Sequence, residues 1–406
     1  MNILQQLKEQ KTWENFLRSV EEKTIGEDKL LVKNINRIIK NGIENIDLNF
    51  PIPTKKEIAK YKNSKKRTVY TFGEPYNTYL KAINFLLQEK SEYSEKFCIN
   101  SVAYQKGKTV KTYVTRLRNE VLKNKRQQYI KTDFSDYFNS IDKEILFNKM
   151  DSFFSDDDKD LVNLFKFILN REEVIYNGES INISEKGVMA GIPISGYLAN
   201  IYMNDIDWVM YKKKIYYTRY ADDVIILTND IEREKEEFIK LLEPLKVTLN
   251  PKKIDEGYTK DGLVFLGFFI SSKEIDLNQR SIDKMKKRIK RRSKWFNMWL
   301  TKNKVDREIA AKTFIKGMNG KFYARDSDDK TCWMEWYGNT ITTTKSLELI
   351  DSYMVQYVRY ILSGKHKGYK KNAEIPYDKI KDLGYRSLVN EYWKIKKGKN
   401  ITEIKE

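Results

Sequence analysis

The segment Tyr220-Ala221-Asp222-Asp223 constrains this chain more than any other. It lies between an aromatic-rich run (Ile215, Tyr216, Tyr217, Arg219) and an aliphatic one (Val224, Ile225, Ile226, Leu227). Two β-type runs joined by so short a polar tip predict a hairpin with both acids at its turn. Adjacent like charges repel, so something must offset them. A divalent cation is the simplest candidate, and hard carboxylate oxygens suit Mg²⁺. A third carboxylate, Asp133, stands at the end of a predicted strand, Tyr129–Phe134, from which it can reach the hairpin tip. Asp133, Asp222 and Asp223 would then bracket two Mg²⁺ ions about 4 Å apart. One ion would activate a primer 3′-hydroxyl, and the other would neutralise triphosphate charge and the leaving pyrophosphate. Alone, a strand-terminal Asp is usually a cap or turn residue. The specificity lies in the combination, with a Gly/Pro loop and a helix between the two acidic sites.

Composition narrows the partners. Of 406 residues, 76 are Lys or Arg and 57 Asp or Glu, a formal charge of +19, and 13% are aromatic. That excess fits a phosphate backbone together with surfaces on which bases stack. One histidine, His366, and two distant cysteines, Cys98 and Cys332, exclude a within-chain Cys/His zinc cluster and disfavour a His-centred triad or an HNH-type nuclease. The chemistry must run on carboxylates and Lys/Arg. Free thiols suit a reducing cytoplasm. No run approaches the roughly 18 apolar residues of a spanning helix, and Met1 leads into polar sequence rather than a secretory signal.

Periodicity predicts helices within 1–24, 76–92, 102–124, from about 142 through 169, 197–211 and 231–243. Residues 30–60 read as mixed polar helix and loop, and 65–72 as a basic strand. A hairpin is predicted around Asn177-Gly178, a punctuated loop at Gly187–Ser195, and strands at Lys246–Leu249 and Leu263–Ile270. Lys284 through Lys294 holds eight Lys or Arg in eleven residues, with Ile282, Met285 and Ile289 on one stripe. One face can pack while the cations follow phosphates. No internal repeat or low-complexity linker is evident.

These motifs resemble, in order, the palm of bacterial reverse transcriptases: Asp133 with Phe138 five residues on, Gly187-Val-Met-Ala-Gly191-Ile-Pro193-Ile-Ser195, Tyr220-Ala-Asp-Asp223, Leu249-Asn250-Pro251-Lys252-Lys253, and Phe265-Leu266-Gly267-Phe268. The resemblance covers about 60–295. Trp333-Met-Glu-Trp336-Tyr337 and Leu383-Gly384-Tyr385-Arg386-Ser387-Leu388 extend it most closely toward defence-associated (abortive-infection, unknown-group) enzymes, nearest to type 2. It implies an α+β right-hand polymerase: an N-terminal helical extension (1–60), fingers (61–128), an antiparallel palm (129–272, finger insertion about 145–186), then an all-α thumb and C-terminal RNA-binding region (273–406).

The resemblance also implies roles. Asp133, Asp222, Asp223 and the carbonyl of Phe134 would hold two Mg²⁺. Phe138 would close the sugar pocket against a ribose hydroxyl. Lys65, Lys66 and Arg67 would meet the triphosphate, with Ala190 and Gly191 near the nascent pair. Lys253, or Lys252 in its place, would protonate pyrophosphate. Phe265, Leu266 and Gly267 would form the primer grip. Lys286, Lys287, Arg288 and Arg291 would hold nucleic acid, with Lys106 or Lys108 replacing an Arg usual where Gln105 stands. Ala190 also departs from the usual Gln.

The implied activity is RNA-directed DNA synthesis from dNTPs on a structured noncoding RNA in cytoplasmic anti-phage defence, without a membrane partner; primer and oligomeric state are not encoded legibly. A retron enzyme is the alternative, ahead of a catalytically silent RNA-binding scaffold. A nucleotide cyclase or RNA-directed RNA polymerase fits Phe138 and the Phe-Leu-Gly-Phe segment less well. Three other features read as structural: Asp156-Asp157-Asp158 as acids at a helix N-terminus, Asp326-Ser327-Asp328-Asp329 as a solvated turn, and His366 as an RNA-phosphate or solvent contact. Phe138→Ala is expected to admit ribonucleotides in competition assays with dNTPs; unchanged sugar discrimination would remove the gate assignment.

Overall fold

The computed structural model describes residues 1–23, 29–59, 66–123, 127–183, 187–323, 332–365 and 370–398. Lys65, the 326–329 turn and His366 lie outside them. The chain clusters into two units, the first drawn from 1–22, 27–109 and 126–258, the second mainly from 110–125 and 259–406. The helix Val110–Lys123 and residues 259–272 therefore fall in the second unit, whereas the sequence reading assigned them to fingers and palm.

The first unit contains β1 (Thr54–Ala59), β2 (Lys66–Thr71), β3 (Gln128–Asp133), β4 (Glu173–Tyr176), β5 (Glu179–Asn182), β6 (Tyr216–Tyr220), β7 (Asp223–Thr228) and β8 (Asp255–Tyr258). One antiparallel sheet has the order β6-β7-β3-β8. The aliphatic run of β7 is buried throughout, because helices Ser195–Lys212 and Ile231–Leu242 pack on the sheet. Phe238 of the latter helix stacks on Phe134 and meets Tyr217. A second sheet, β2-β1-β4-β5, joins two antiparallel hairpins through a parallel contact of Thr54 with Ile175.

In the second unit, β9 (Leu263–Phe265), β10 (Phe268–Ile270) and β11 (Ile275–Leu277) form an antiparallel sheet. The other described elements are helical, among them Gln279–Asn303, Arg307–Tyr323, Lys345–Ser363 and Leu388–Lys396. Among the described residues no helix is long and apolar enough to cross a membrane.

Five local expectations are corrected. Residues 30–60, read as helix and loop, end in β1; the polar alternation Thr54-Lys55-Lys56-Glu57 hides a strand with little buried surface. Lys246–Leu249 is not a strand: Lys246 is left-handed (φ 54°), and backbone bonds leave singly, from Ser135 N–H to the Thr248 carbonyl (2.8 Å) and from Asn250 N–H to Asp133 (2.8 Å). Leu263–Ile270 is a hairpin, and the expected all-α region carries one strand, β11. Asp158 is no mere N-terminal acid. It is 1% exposed and accepts from Ile3 N–H (2.6 Å), Lys90 Nζ (2.7 Å) and the Tyr93 hydroxyl, tying the N-terminus to two distant elements.

A fully buried ion pair lies under the β6–β7 turn. Arg219 and Asp207 are both 0% exposed. Arg219 donates through Nε (2.8 Å) and Nη2 (2.5 Å) to the two Asp207 oxygens, through Nη1 to the Ala221 carbonyl (2.9 Å), and through Nη2 to Ser101 Oγ (2.9 Å) and Asn200 Oδ1 (3.2 Å). Tyr217 donates its hydroxyl to Asp207 as well (2.7 Å). Burial opposes the guanidinium charge, but Asp207 more than offsets it and holds the arginine pKa above its ordinary value. Bidentate pairing with the remaining donors satisfied is the condition under which a buried pair survives. Asp207→Ala, which strands the charge, is expected to cost about 3–5 kcal/mol, read as a lowered denaturation midpoint; a loss below about 1 kcal/mol would show the pair to be dispensable.

Candidate active site

Sheet register brings the acids together. Asp133 ends β3 directly opposite Asp223, the first residue of β7. Asp222 occupies the turn, fixed by Phe134 N–H donating to its carbonyl (3.2 Å). Ala221 takes φ 56°, a left-handed conformation that a non-glycine residue holds only under constraint. The Arg219 bond to its carbonyl supplies that constraint.

Asp133 is 2% exposed. Its Oδ2 receives the Lys253 ammonium, while its buried Oδ1 has no hydrogen-bond partner. Burial first, then the charges of Asp222 and Asp133, push Asp223 up to about 6. An orphaned buried carboxylate oxygen beside a carboxyl starved of counter-charge is a donor set that a hard divalent cation fits. Among the described residues no group of three or more His, Cys, Asp or Glu side chains is placed to hold a metal ion. The lysine ammonium partly fills the role of the cation. It is delivered by the short turn Pro251–Lys253, where Asn250 Oδ1 accepts from Lys252 N–H (3.2 Å) and the Asn250 carbonyl from Lys253 N–H (2.9 Å). Phe134 offers only backbone, since its ring is core.

A second group of residues lies in the same unit. Phe138 is half-buried, and its carbonyl accepts from Val188 N–H (3.0 Å). Gly187 makes this possible: at φ 106°, a Cβ there would lie 2.4 Å from the Phe138 carbonyl oxygen. On its other side the loop reaches β2, where Tyr70 N–H donates to the Ala190 carbonyl (2.8 Å). Gly191, at φ 109°, lets Val69 and Tyr70 approach. Ala190 thus contributes its backbone. Lys66 pairs across the strand with Glu57 (2.7 Å), and Arg67 is exposed.

Tyr104 was missed by sequence reasoning. It is left-handed (φ 60°) and 46% exposed, and its ring stands edge-on to Phe138 with centroids 6.4 Å apart. The ring lies over Gly196, where a Cβ would come within 2.5 Å of it. Desolvation, with the Asp222 charge second, pushes its phenol up to about 12. The adjacency Tyr104-Gln105 was the available signal, but nothing local distinguished it from an ordinary loop aromatic.

Other predicted residues have different surroundings. Lys106 Nζ pairs with Glu89 (2.5 Å), and Lys108 Nζ donates to the carbonyls of Cys98 (3.0 Å) and Ser101 (2.8 Å). Lys108 therefore braces the loop beside Arg219. In the second unit, Phe265 and Phe268 face each other across a two-residue turn, Leu266-Gly267, with φ 49° and 90°. Positive φ at both positions is the geometry of a tight hairpin. The Gly267 carbonyl accepts from Asn278 N–H (3.0 Å) and Ser281 Oγ (3.1 Å), tying the turn to the start of helix Gln279–Asn303. On that helix Lys287 and Arg291 are exposed and Lys286 and Arg288 half-buried, with Lys286 Nζ 5.6 Å from the Tyr353 ring centre.

A family model described as reverse transcriptase (RNA-dependent DNA polymerase) matches residues 25–270, more than half of the chain. No curated protein matches. Among solved structures, similarity extends to telomerase from Candida tropicalis truncated from its C-terminal domain, at 15% identity and TM-score 0.45 over 60% of this chain and 59% of that one. It extends also to Candida albicans telomerase in complex with a fragment of telomeric RNA, at 12% identity and TM-score 0.43 over 86% of this chain and 66% of that one. This protein thus spans less than two thirds of the length of those telomerase chains. By its matched segment, which contains all three acids, the chain belongs to the reverse transcriptase (RNA-dependent DNA polymerase) family.

Proposed function

We propose that this protein copies RNA into DNA from dNTPs, with Asp133, Asp222, Asp223 and the Phe134 carbonyl holding two Mg²⁺. The observation that carries this is the pairing of Asp133 opposite Asp223 with an unpartnered, buried Asp133 oxygen. Bound there, the metals supply Lewis-acid activation of a hydroxyl and charge neutralisation at the phosphates. The chain's own groups do the rest. Arg67 and Lys66 orient the triphosphate, and Phe138 and Tyr104 wall the sugar and base. Lys253, released from Asp133, donates its proton to the departing pyrophosphate. Leu266-Gly267 positions the primer end, and the basic helix holds RNA.

The motifs Trp333–Tyr337 and Leu383–Leu388 support a finer assignment. The template is a structured noncoding RNA encoded beside the gene, and the outcome is anti-phage defence in the cytoplasm. Sequencing RNA and cDNA that copurify with the protein tests this; cDNA unrelated to one small RNA would overturn it.

Asp222→Ala with Asp223→Ala should reduce dNTP incorporation on primed RNA by about a thousandfold or more; retained incorporation would remove the acids from the chemistry. Asp223→Asn separates stability from activity. The folded carboxyl keeps its proton up to about pH 6, against 3.8 for the ordinary group. The native state therefore loses stability as pH rises through that window, and the deficit is complete above it. In chelator at pH 7.5, Asp223→Asn should be more stable than the parent by about 1–3 kcal/mol, and the gain should vanish near pH 4. Mg²⁺ should stabilise the parent more than the variant. An equal or lower melting temperature for the variant in chelator would contradict the repulsion.

The ring of Tyr104 offers a second test. Gly196→Ala, which leaves every polar group in place, should displace it and raise the KM for dNTP in the same direction as Tyr104→Ala, while Tyr104→Phe retains function. Wild-type kinetics for Gly196→Ala would remove Tyr104 from the pocket.

A further inference from the structure

Helix Gln279–Asn303 has already used its apolar face. Ile282, Met285, Ile289, Ser293, Phe296 and Leu300 are buried, and Phe296 packs its ring against Phe314. The opposite stripe, in steps of three and four residues, carries Lys284, Lys287, Arg291, Trp295, Met298 and Lys302, all exposed. At the helical rise it runs for about 27 Å. Trp295 is 53% and Met298 64% exposed. The Trp299 indole lies within 8° of parallel to that of Trp295, centroids 6.2 Å apart. Beneath them Trp295 stands edge-on against Phe296 at 4.8 Å, so the outer ring rests on a buried one.

Single exposed apolar residues need no explanation, but two aligned indoles and a methionine continuing a line of cations form a patch with a direction. Nearby cations that serve packing are separable from it. Lys286 lies over Tyr353, and the Arg292 guanidinium sits against Gly317.

We infer that this stripe is a binding track for single-stranded RNA, with phosphates along Lys284, Lys287 and Arg291 and unpaired bases stacked on Trp295 and Trp299. Charge selects the occupant. A neutral protein partner would leave the cations unused, while duplex RNA would leave the indoles unused because its bases are stacked internally. Cations on the backbone and rings under the bases are the two requirements of a single strand, and one helix face supplies both. The assignment rests on the protein being an RNA-copying enzyme, and it adds which surface holds unpaired RNA outside the acidic site.

The two contributions separate by salt. With the full-length protein, binding of a labelled oligouridylate and of a matched RNA duplex is measured by fluorescence anisotropy across a salt series. Trp295→Ala with Trp299→Ala should weaken oligouridylate binding about tenfold to a hundredfold with little change in salt slope, leaving duplex binding intact. Trp295→Phe with Trp299→Phe should recover most of the loss. Lys287→Ala with Arg291→Ala should weaken both ligands and reduce the slope for the single strand by about 1.4. Unchanged oligouridylate affinity in the double Trp variant, equal losses for single strand and duplex, or a shift in sedimentation showing that the indoles join two copies of the chain would each overturn the track. A loss confined to oligodeoxythymidylate would overturn its assignment to RNA. Primer extension on a short template, unchanged in the Trp variant, keeps the polymerase assignment apart: failure of the track leaves synthesis intact, while a wild-type protein inactive in that assay fails on the enzyme itself.

Discussion

The acidic turn exists in its observed form because a buried guanidinium holds it from below. Arg219 binds both oxygens of Asp207 and the Ala221 carbonyl, and Asp207 lies on helix Ser195–Lys212. The Arg219 backbone carbonyl also accepts from Val102 N–H (2.9 Å), and the Arg219 N–H donates to the Asn100 carbonyl (3.0 Å), which joins the 98–103 loop to the same point. A turn residue at positive φ, helix Ser195–Lys212 and the 98–103 loop are thereby fixed by one residue. In a low-dielectric interior such a pair is expensive to form and more expensive to half-remove, so it specifies geometry as well as contributing stability.

Above that foundation the site is electrostatically incomplete. Three carboxylates share one end of a sheet, Asp223 is pushed toward neutrality, and Asp133 has one buried oxygen bonded to nothing. The ammonium of Lys253 partly answers that deficit, and its chain is exposed enough (60%) to leave. Tolerating such repulsion without a structural return is characteristic of sites built for a ligand charge. The neighbouring loop shows the complementary economy. Gly187 permits a backbone approach that a Cβ would block, and Gly191 holds a positive φ of 109° that a side chain would strain, so the position of Phe138 is set by main-chain bonds.

The second unit follows the same division between packing and function. Its tight hairpin spends two left-handed residues, one of them Leu266, on a turn that is then bonded to the start of the long basic helix. That helix buries one apolar stripe and leaves a cationic and aromatic one outside. A run of eight cations in a sequence reads as one patch, yet helical periodicity turns Lys286 toward Tyr353 and Arg292 toward Gly317 and others away.

What the sequence determined by itself was the pattern whose cause is local. Alternation on either side of Asp222-Asp223, a strand ending at Asp133, glycines in the 187–195 loop and the periodic basic helix all follow from spacing. Local periodicity and turn chemistry are carried by neighbours along the chain. Only tertiary structure decided what each polar group would meet. Asp207 and Arg219 are unremarkable letters in a helix and a strand until folding buries both. Lys106 and Lys108 read in the sequence as cations for a phosphate, and only folding shows that they meet Glu89 and backbone carbonyls. Asp158 looked like a cap and became a buried clamp. β1 escaped notice because its side chains are polar, and its place was set by pairing with β2 and β4. Burial and partner identity depend on contacts distant in sequence, and those enter the free energy only once the chain has closed on itself.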